Sequence, residues 1–112
     1  MAQSSPNFLN GVPELLVLRL LRDREMYGYE LVQAIRETTG DQIVLAEGVI
    51  YPVLHMLERD GALSARRQSV GGRSRVYYKV TPAGAERFAR LAAAWQSLSA
   101  TIGAVLAEPR HG

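Results

Sequence analysis

Near the C-terminus, Phe88, Leu91, Trp95, Leu98, Ile102 and Val105 are separated by 3, 4, 3, 4 and 3 positions, and this spacing leaves few folds open. It is the a/d pattern of helices packed side by side at a shallow angle. One long helix is therefore expected, with Thr81 as N-cap, Pro82 as first helical residue and Gly84 tolerated early, running to about Leu106. About two and a half heptads are too short to stand alone, so the seam must dock on other surfaces. One such surface follows Pro13 and Glu14. The run Leu15-Leu16-Val17-Leu18-Arg19-Leu20-Leu21 is apolar nearly all round, and a helix of that kind is covered on more than one face. In a chain of 112 residues, part of the cover is expected from a second subunit. Leu15, Leu18, Phe88, Leu91, Trp95, Leu98, Ile102 and Val105 are accordingly the expected dimerisation residues.

Between these elements the pattern changes twice. Asp23-Arg24-Glu25 reads as a turn, and a second helix is expected from about Gly28 to Thr39 with Gly28, Leu31, Val32 and Ile35 on one face. Gly40-Asp41 ends it, and Gln42-Ile43-Val44-Leu45 is expected as one short edge strand. A third helix spans roughly Glu47 to Asp60 and stops at Gly61, with Ile50, Leu54 and Leu57 inward. Pro52 is expected in its first turn, where the missing N–H is no loss. Leu63–Gln68 and Arg75–Val80 then flank a Gly71-Gly72 turn as a hairpin. Val76, Tyr78 and Val80 share one face of the second strand, and Arg75, Tyr77 and Lys79 the other.

The expected fold is mainly α with a small β-hairpin: a winged helix-turn-helix plus a long C-terminal helix. The expected division is a flexible arm at 1–11, a DNA-binding domain at 12–81, a dimerisation helix at 82–106 and a tail at 107–112.

Charge is unevenly placed. Arg59, Arg66, Arg67, Arg73, Arg75 and Lys79 face one acid, Asp60, across 59–79, a net of +5, while the remainder carries −3. A basic segment on an otherwise acidic chain is the footprint of a polyanion partner or, on charge alone, a solvated arginine-rich surface. Zero cysteines exclude disulfides and thiolate metal sites. No apolar run approaches the ~20 residues of a membrane span, and Met1–Asn7 is too polar for a signal peptide, so a cytoplasmic protein is expected. His55 and His111 lie far apart, no glycine-rich phosphate loop precedes a helix, and no carboxylate pair has catalytic or metal spacing. Neither an enzyme nor a bound cofactor or metal is expected.

The stretches Leu9-Asn10-Gly11-Val12-Pro13-Glu14-Leu15-Leu16-Val17-Leu18 and Met26-Tyr27-Gly28-Tyr29-Glu30-Leu31 resemble the PadR family of winged-helix regulators in its short form, with one C-terminal helix. The resemblance is strongest over Glu47–Gly61 and continues through Gly71-Gly72-Arg73-Ser74-Arg75-Val76-Tyr77-Tyr78 and Thr81-Pro82-Ala83-Gly84. It covers about residues 9 to 106. The order and spacing of Gly-x-x-Tyr-Pro-x-Leu followed by the glycine-tipped wing make it specific. It implies a homodimeric regulator that binds a two-fold operator in double-stranded DNA. Two positions depart from the family: Val49 stands where a small hydroxylated residue is common, and His55 where a basic one is common.

On this reading Gly48, Tyr51, Pro52, His55 and Arg59 form the outward face of helix 3. Gly48 permits close backbone approach, Tyr51 either meets DNA or packs beneath the wing, and His55 reaches a base edge or is a plain surface histidine. Arg73 and Arg75 flank the wing turn, and Arg66, Arg67 and Lys79 add positive charge. Trp95, mid-seam, either fills the dimer core or, with its mate, sandwiches a small planar aromatic effector whose binding releases the DNA. The rival function is a winged-helix protein-interaction module without DNA binding, and a third is a ligand carrier on the same dimer.

Overall fold

A computed structural model describes residues 11–107. Most of the arm expected at 1–11 and of the tail at 107–112 lies outside them. The element order is α1 (Val12–Asp23), β1 (Met26–Tyr27), α2 (Gly28–Thr38), α3 (Glu47–Arg59), β2 (Leu63–Val70), β3 (Arg73–Val80) and α4 (Pro82–Ala107). The strands form one antiparallel sheet in the order β1-β3-β2.

Helix α1 is preceded by its N-cap, Gly11, whose φ of 85° is a left-handed value and whose carbonyl accepts from the Leu15 N–H at 2.9 Å. Val17, Leu18 and Leu21 are buried, with Leu16 and Leu20 packed against the same core. The cover is supplied by α2, α3, α4 and β3 of the same chain. The expectation that a second subunit covers α1 through Leu18 is corrected here. Leu18 has no exposed surface and belongs to its own subunit's core.

The α2–α3 connection is not a strand. Thr39 Oγ1 donates to the Ile35 carbonyl at 2.7 Å and accepts from the Ile43 N–H at 3.1 Å. A side chain thus ties the Ile43 N–H, a donor that a strand would have used in a ladder, back to the end of α2. The third strand is Met26–Tyr27 instead, in register with Tyr78 and Tyr77 of β3. Pro52 is also displaced from its expected place, lying in the second turn of α3. The bond it forfeits is the one to the Gly48 carbonyl, at an exposed residue where water can take its place.

The hairpin closes through Gly71 and Gly72, with φ values of 55° and 78°. Positive φ at both central residues matches the right-handed twist of the flanking strands. The ladder runs from Leu63↔Val80 to Val70↔Arg73, so both strands extend further toward the tip than the apolar pattern indicated. At its base, Thr81 Oγ1 accepts from the Gly84 N–H at 3.0 Å and donates to the Gly61 carbonyl at 2.7 Å. One side chain caps α4 and ties it to the end of α3. Gly84 rests so closely on the Ala62 carbonyl that a Cβ there would overlap it.

The heptad seam of α4 divides. Phe88 and Leu91 pack against the core of their own subunit. Trp95, Leu98, Ile102 and Val105 lie beyond it and are 41%, 46%, 45% and 65% exposed. Among the described residues no helix is long and apolar enough to cross a membrane.

Candidate nucleic-acid interface

Helix α3 turns Ile50, Leu54 and Leu57 into the core, which leaves Gly48, Pro52, His55 and Arg59 exposed. Tyr51 is half-buried. Its ring lies against Gly28, the first residue of α2, where an added Cβ would overlap the ring. Burial, with the Glu47 carboxylate nearby, pushes the Tyr51 phenol above its ordinary range. Tyr51 therefore helps fix the α2–α3 crossing, and only part of its side chain is exposed.

Two clefts flank α3. One, of about 340 Å³, lies between α3 and the inner face of the hairpin and is lined by His55, Glu58, Arg67 and Tyr78, among others. The other, of about 480 Å³, lies between the start of α3 and the wing. Tyr27, Tyr29, Glu47, Arg73, Ser74 and Arg75 line it. Strand register decides which arginine goes where. Residues 63, 65 and 67 of β2 share a face with 76, 78 and 80 of β3, and this face turns toward α3. Arg66, Arg75, Tyr77 and Lys79 occupy the opposite face with Tyr27 of β1.

On that outer face the side chains form a continuous stack. The Arg66 guanidinium lies 5.0 Å from the Tyr77 ring centroid, Tyr77 meets Tyr27 edge-on at 5.4 Å, and Arg75 lies 4.4 Å from the Tyr27 centroid. Arg66 is further committed to Glu25, donating from Nε at 2.9 Å and from Nη2 at 2.6 Å. The hydrogen bond from Arg66 holds the Glu25 carboxyl below the usual carboxylate range.

The expected basic set therefore separates. Arg73 and Arg75 share the cleft at the start of α3, and Arg67 joins His55 in the other cleft. Arg66, on the same strand face as Arg75, is paired with Glu25 instead. Lys79 lies on that same face, paired in register with Ser64 near the base of the hairpin. Arg59 stands at the far end of α3. Sequence reasoning did not assign Tyr27 and Tyr29 to the site. The signal in the sequence is a pair of tyrosines flanking Gly28 at a helix start; the structure buries Gly28 and leaves Tyr29 half exposed.

Residues 17–90 match the transcriptional regulator PadR-like family. A transcriptional regulator of Mycobacterium tuberculosis, Rv3488, is 36% identical over 77 residues, which is 69% of each chain. Among solved structures, a transcriptional regulator from Clostridium thermocellum superposes with a TM-score of 0.81 at 26% identity, covering 88% of this chain and 96% of that one. A PadR family regulator from Eggerthella lenta superposes with a TM-score of 0.80 at 28% identity, covering 92% and 88%. With the three helices, the glycine-tipped wing and the long last helix in the same order, this chain belongs to the PadR-like family of transcriptional regulators.

Proposed function

We propose that the protein is a homodimeric, sequence-specific DNA-binding repressor. The observation that carries this reading is the cleft where Arg73 and Arg75 of the wing meet the N-terminal ends of α2 and α3. Wing arginines supply affinity through phosphate contacts, and the exposed face of α3 supplies specificity in the major groove. Arg67, beside His55 in the neighbouring cleft, adds positive charge on the same side as α3. A dimer would set two half-sites about one helical turn, ~34 Å, apart on one face of the duplex. The pairing surface is the distal part of α4, where four large apolar side chains of the seam have no partner within the described chain.

Release by a small planar aromatic compound is supported by the shape of that surface. Trp95, Leu98, Ile102 and Leu106 form one apolar face of α4 around an open recess of about 410 Å³, with Gly103 also in its lining. An indole wall favours flat aromatic ligands, and micromolar affinity needs only ~8 kcal/mol. A ligand that prefers a different spacing of the two α3 helices weakens operator binding by the reciprocal coupling factor.

The test is a gel shift with the intergenic DNA upstream of the protein's own gene, titrated with salt and then with flat aromatic cations and phenolic acids. Retarded DNA whose affinity falls steeply with salt, and Trp95 fluorescence that responds to a compound that also frees the DNA, are the expected results. No retardation of any duplex at low salt would favour the protein-interaction module. Retardation that no compound reverses would leave the repressor and remove the ligand.

A further inference from the structure

The leading end of α3 carries no exposed side chain that can donate a hydrogen bond to a base. Glu47 is a carboxylate, Gly48 has no side chain, and Val49 and Pro52 are apolar, all four exposed. Tyr51 on the same stretch is turned onto Gly28. His55 is the first exposed donor, two turns into the helix.

Val49 is unusual within this set. It heads the stripe Val49, Val53, Met56, spaced four and three, of which Val53 and Met56 pack against the core. Val49 runs off the edge of that core and is 42% exposed, although Ile50 beside it is fully buried. The space at Gly48 is open, so among the described residues nothing lies within 4 Å of where a side chain would stand. In a winged helix docked on duplex DNA, the N-terminal residues of this helix approach the base edges. The one apolar group on those edges in the major groove is the thymine C5-methyl.

We propose that Val49 is a specificity-determining residue that reads thymine. Its methyl groups pack on the C5-methyl of one thymine in each half-site, with Pro52 alongside and Gly48 allowing the backbone close to the base. This rests on the DNA-binding reading above and deepens it. The half-site is recognised at this position by an apolar contact instead of a hydrogen bond. Glu47, which repels phosphate, is compatible with the same pose because it flanks a base contact and does not itself clamp the backbone.

The experiment uses the full chain and a randomised duplex pool, selected at low salt on wild type and on Val49→Ser. Wild type is expected to enrich one required thymine per half-site, and Val49→Ser to lose that preference while still binding. Replacing that thymine by deoxyuridine removes only the methyl. Wild-type affinity should then fall about fourfold per half-site, the worth of one buried methyl-sized group. Val49→Ser should not respond. Circular dichroism checks that the serine variant is folded, and the deoxyuridine comparison on wild type decides the matter if it is not. Unchanged wild-type affinity with deoxyuridine at every thymine of the selected site overturns the thymine contact, as does a folded Val49→Ser with the same preference, and in both cases DNA binding stands. Failure of wild type to retain any duplex overturns both readings.

Discussion

Arg75 lies over the face of Tyr27, its guanidinium carbon 4.4 Å from the ring centroid, at the mouth of the cleft that also holds Arg73 and the start of α3. Tyr27 is held in turn by Tyr77, and its backbone N–H donates to Glu30 at 3.2 Å, so the ring is anchored to both the sheet and the first turn of α2. The wing cation thus leaves the sheet from a fixed platform. Arg66, at the other end of the same stack, spends its charge on Glu25.

Two arginine variants separate these roles. Arg73→Ala with Arg75→Ala should weaken binding to all DNA sequences and flatten the salt dependence by roughly one slope unit for each phosphate no longer neutralised. Arg66→Ala should leave the salt slope close to wild type, because its charge is already paired. Fluorescence anisotropy across a salt series reads both. Equal slopes for the Arg73/Arg75 double variant and wild type would remove the wing as a phosphate clamp.

The α2–α3 crossing depends on Gly28 having no side chain. Gly28→Ala should cost about 1–3 kcal/mol, since its methyl overlaps the Tyr51 ring. In a Tyr51→Ala background the same substitution should cost less, a coupling of order 1 kcal/mol. Urea unfolding at fixed protomer concentration measures the cycle, and strict additivity would show that ring and glycine do not meet.

Leu18 and Ile102 are both apolar candidates for the partner surface by sequence, and the structure makes them behave oppositely. Leu18→Ala should destabilise each subunit by about 2–5 kcal/mol through a core cavity without changing the assembly. Ile102→Asp, placed on the exposed seam, should halve the solution mass and leave the circular dichroism of the winged helix intact. Light scattering and thermal melts distinguish the two, and a dimeric Ile102→Asp would move the interface elsewhere.

Alkaline titration offers a further check on the core. Burial raises both the Tyr51 and Tyr78 phenols above the ordinary tyrosine value of about 10. Their neutral forms are the native ones, so the unfolded chain ionises first. Their contribution is complete below about pH 10 and is lost as pH rises through the raised values. Tyr78→Phe should reduce the fall in stability over that alkaline window, measured as urea midpoints against pH. An identical alkaline slope in the variant would place the titrating group elsewhere.

Much of this architecture is legible in the amino-acid sequence. Periodicity locates four helices and the hairpin to within a few residues, the double glycine announces the wing turn, and Thr81-Pro82 marks the start of the last helix. The misplaced pieces share a cause. Met26–Tyr27 is too short for alternation to register and is a strand only because β3 offers it a free edge. Ile43 and Leu45 alternate as a strand would, yet the Thr39 hydroxyl takes the Ile43 N–H first.

By itself the sequence determined which side of each element is apolar, where the chain turns and where positive charge is concentrated, because these depend on neighbours within a few residues. Only the tertiary structure decided what covers each apolar face. It placed Leu18 in the core of its own subunit and left Trp95 and Ile102 exposed among the described residues. It likewise decided which arginines keep their charge for a partner. The three-strand register carries Arg66 to Glu25 and Arg75 to the mouth of the cleft, and its β1–β3 half joins residues some fifty positions apart. Local spacing records the face of a strand, but the neighbour across it is chosen by the packing of the whole sheet on α1 and α3.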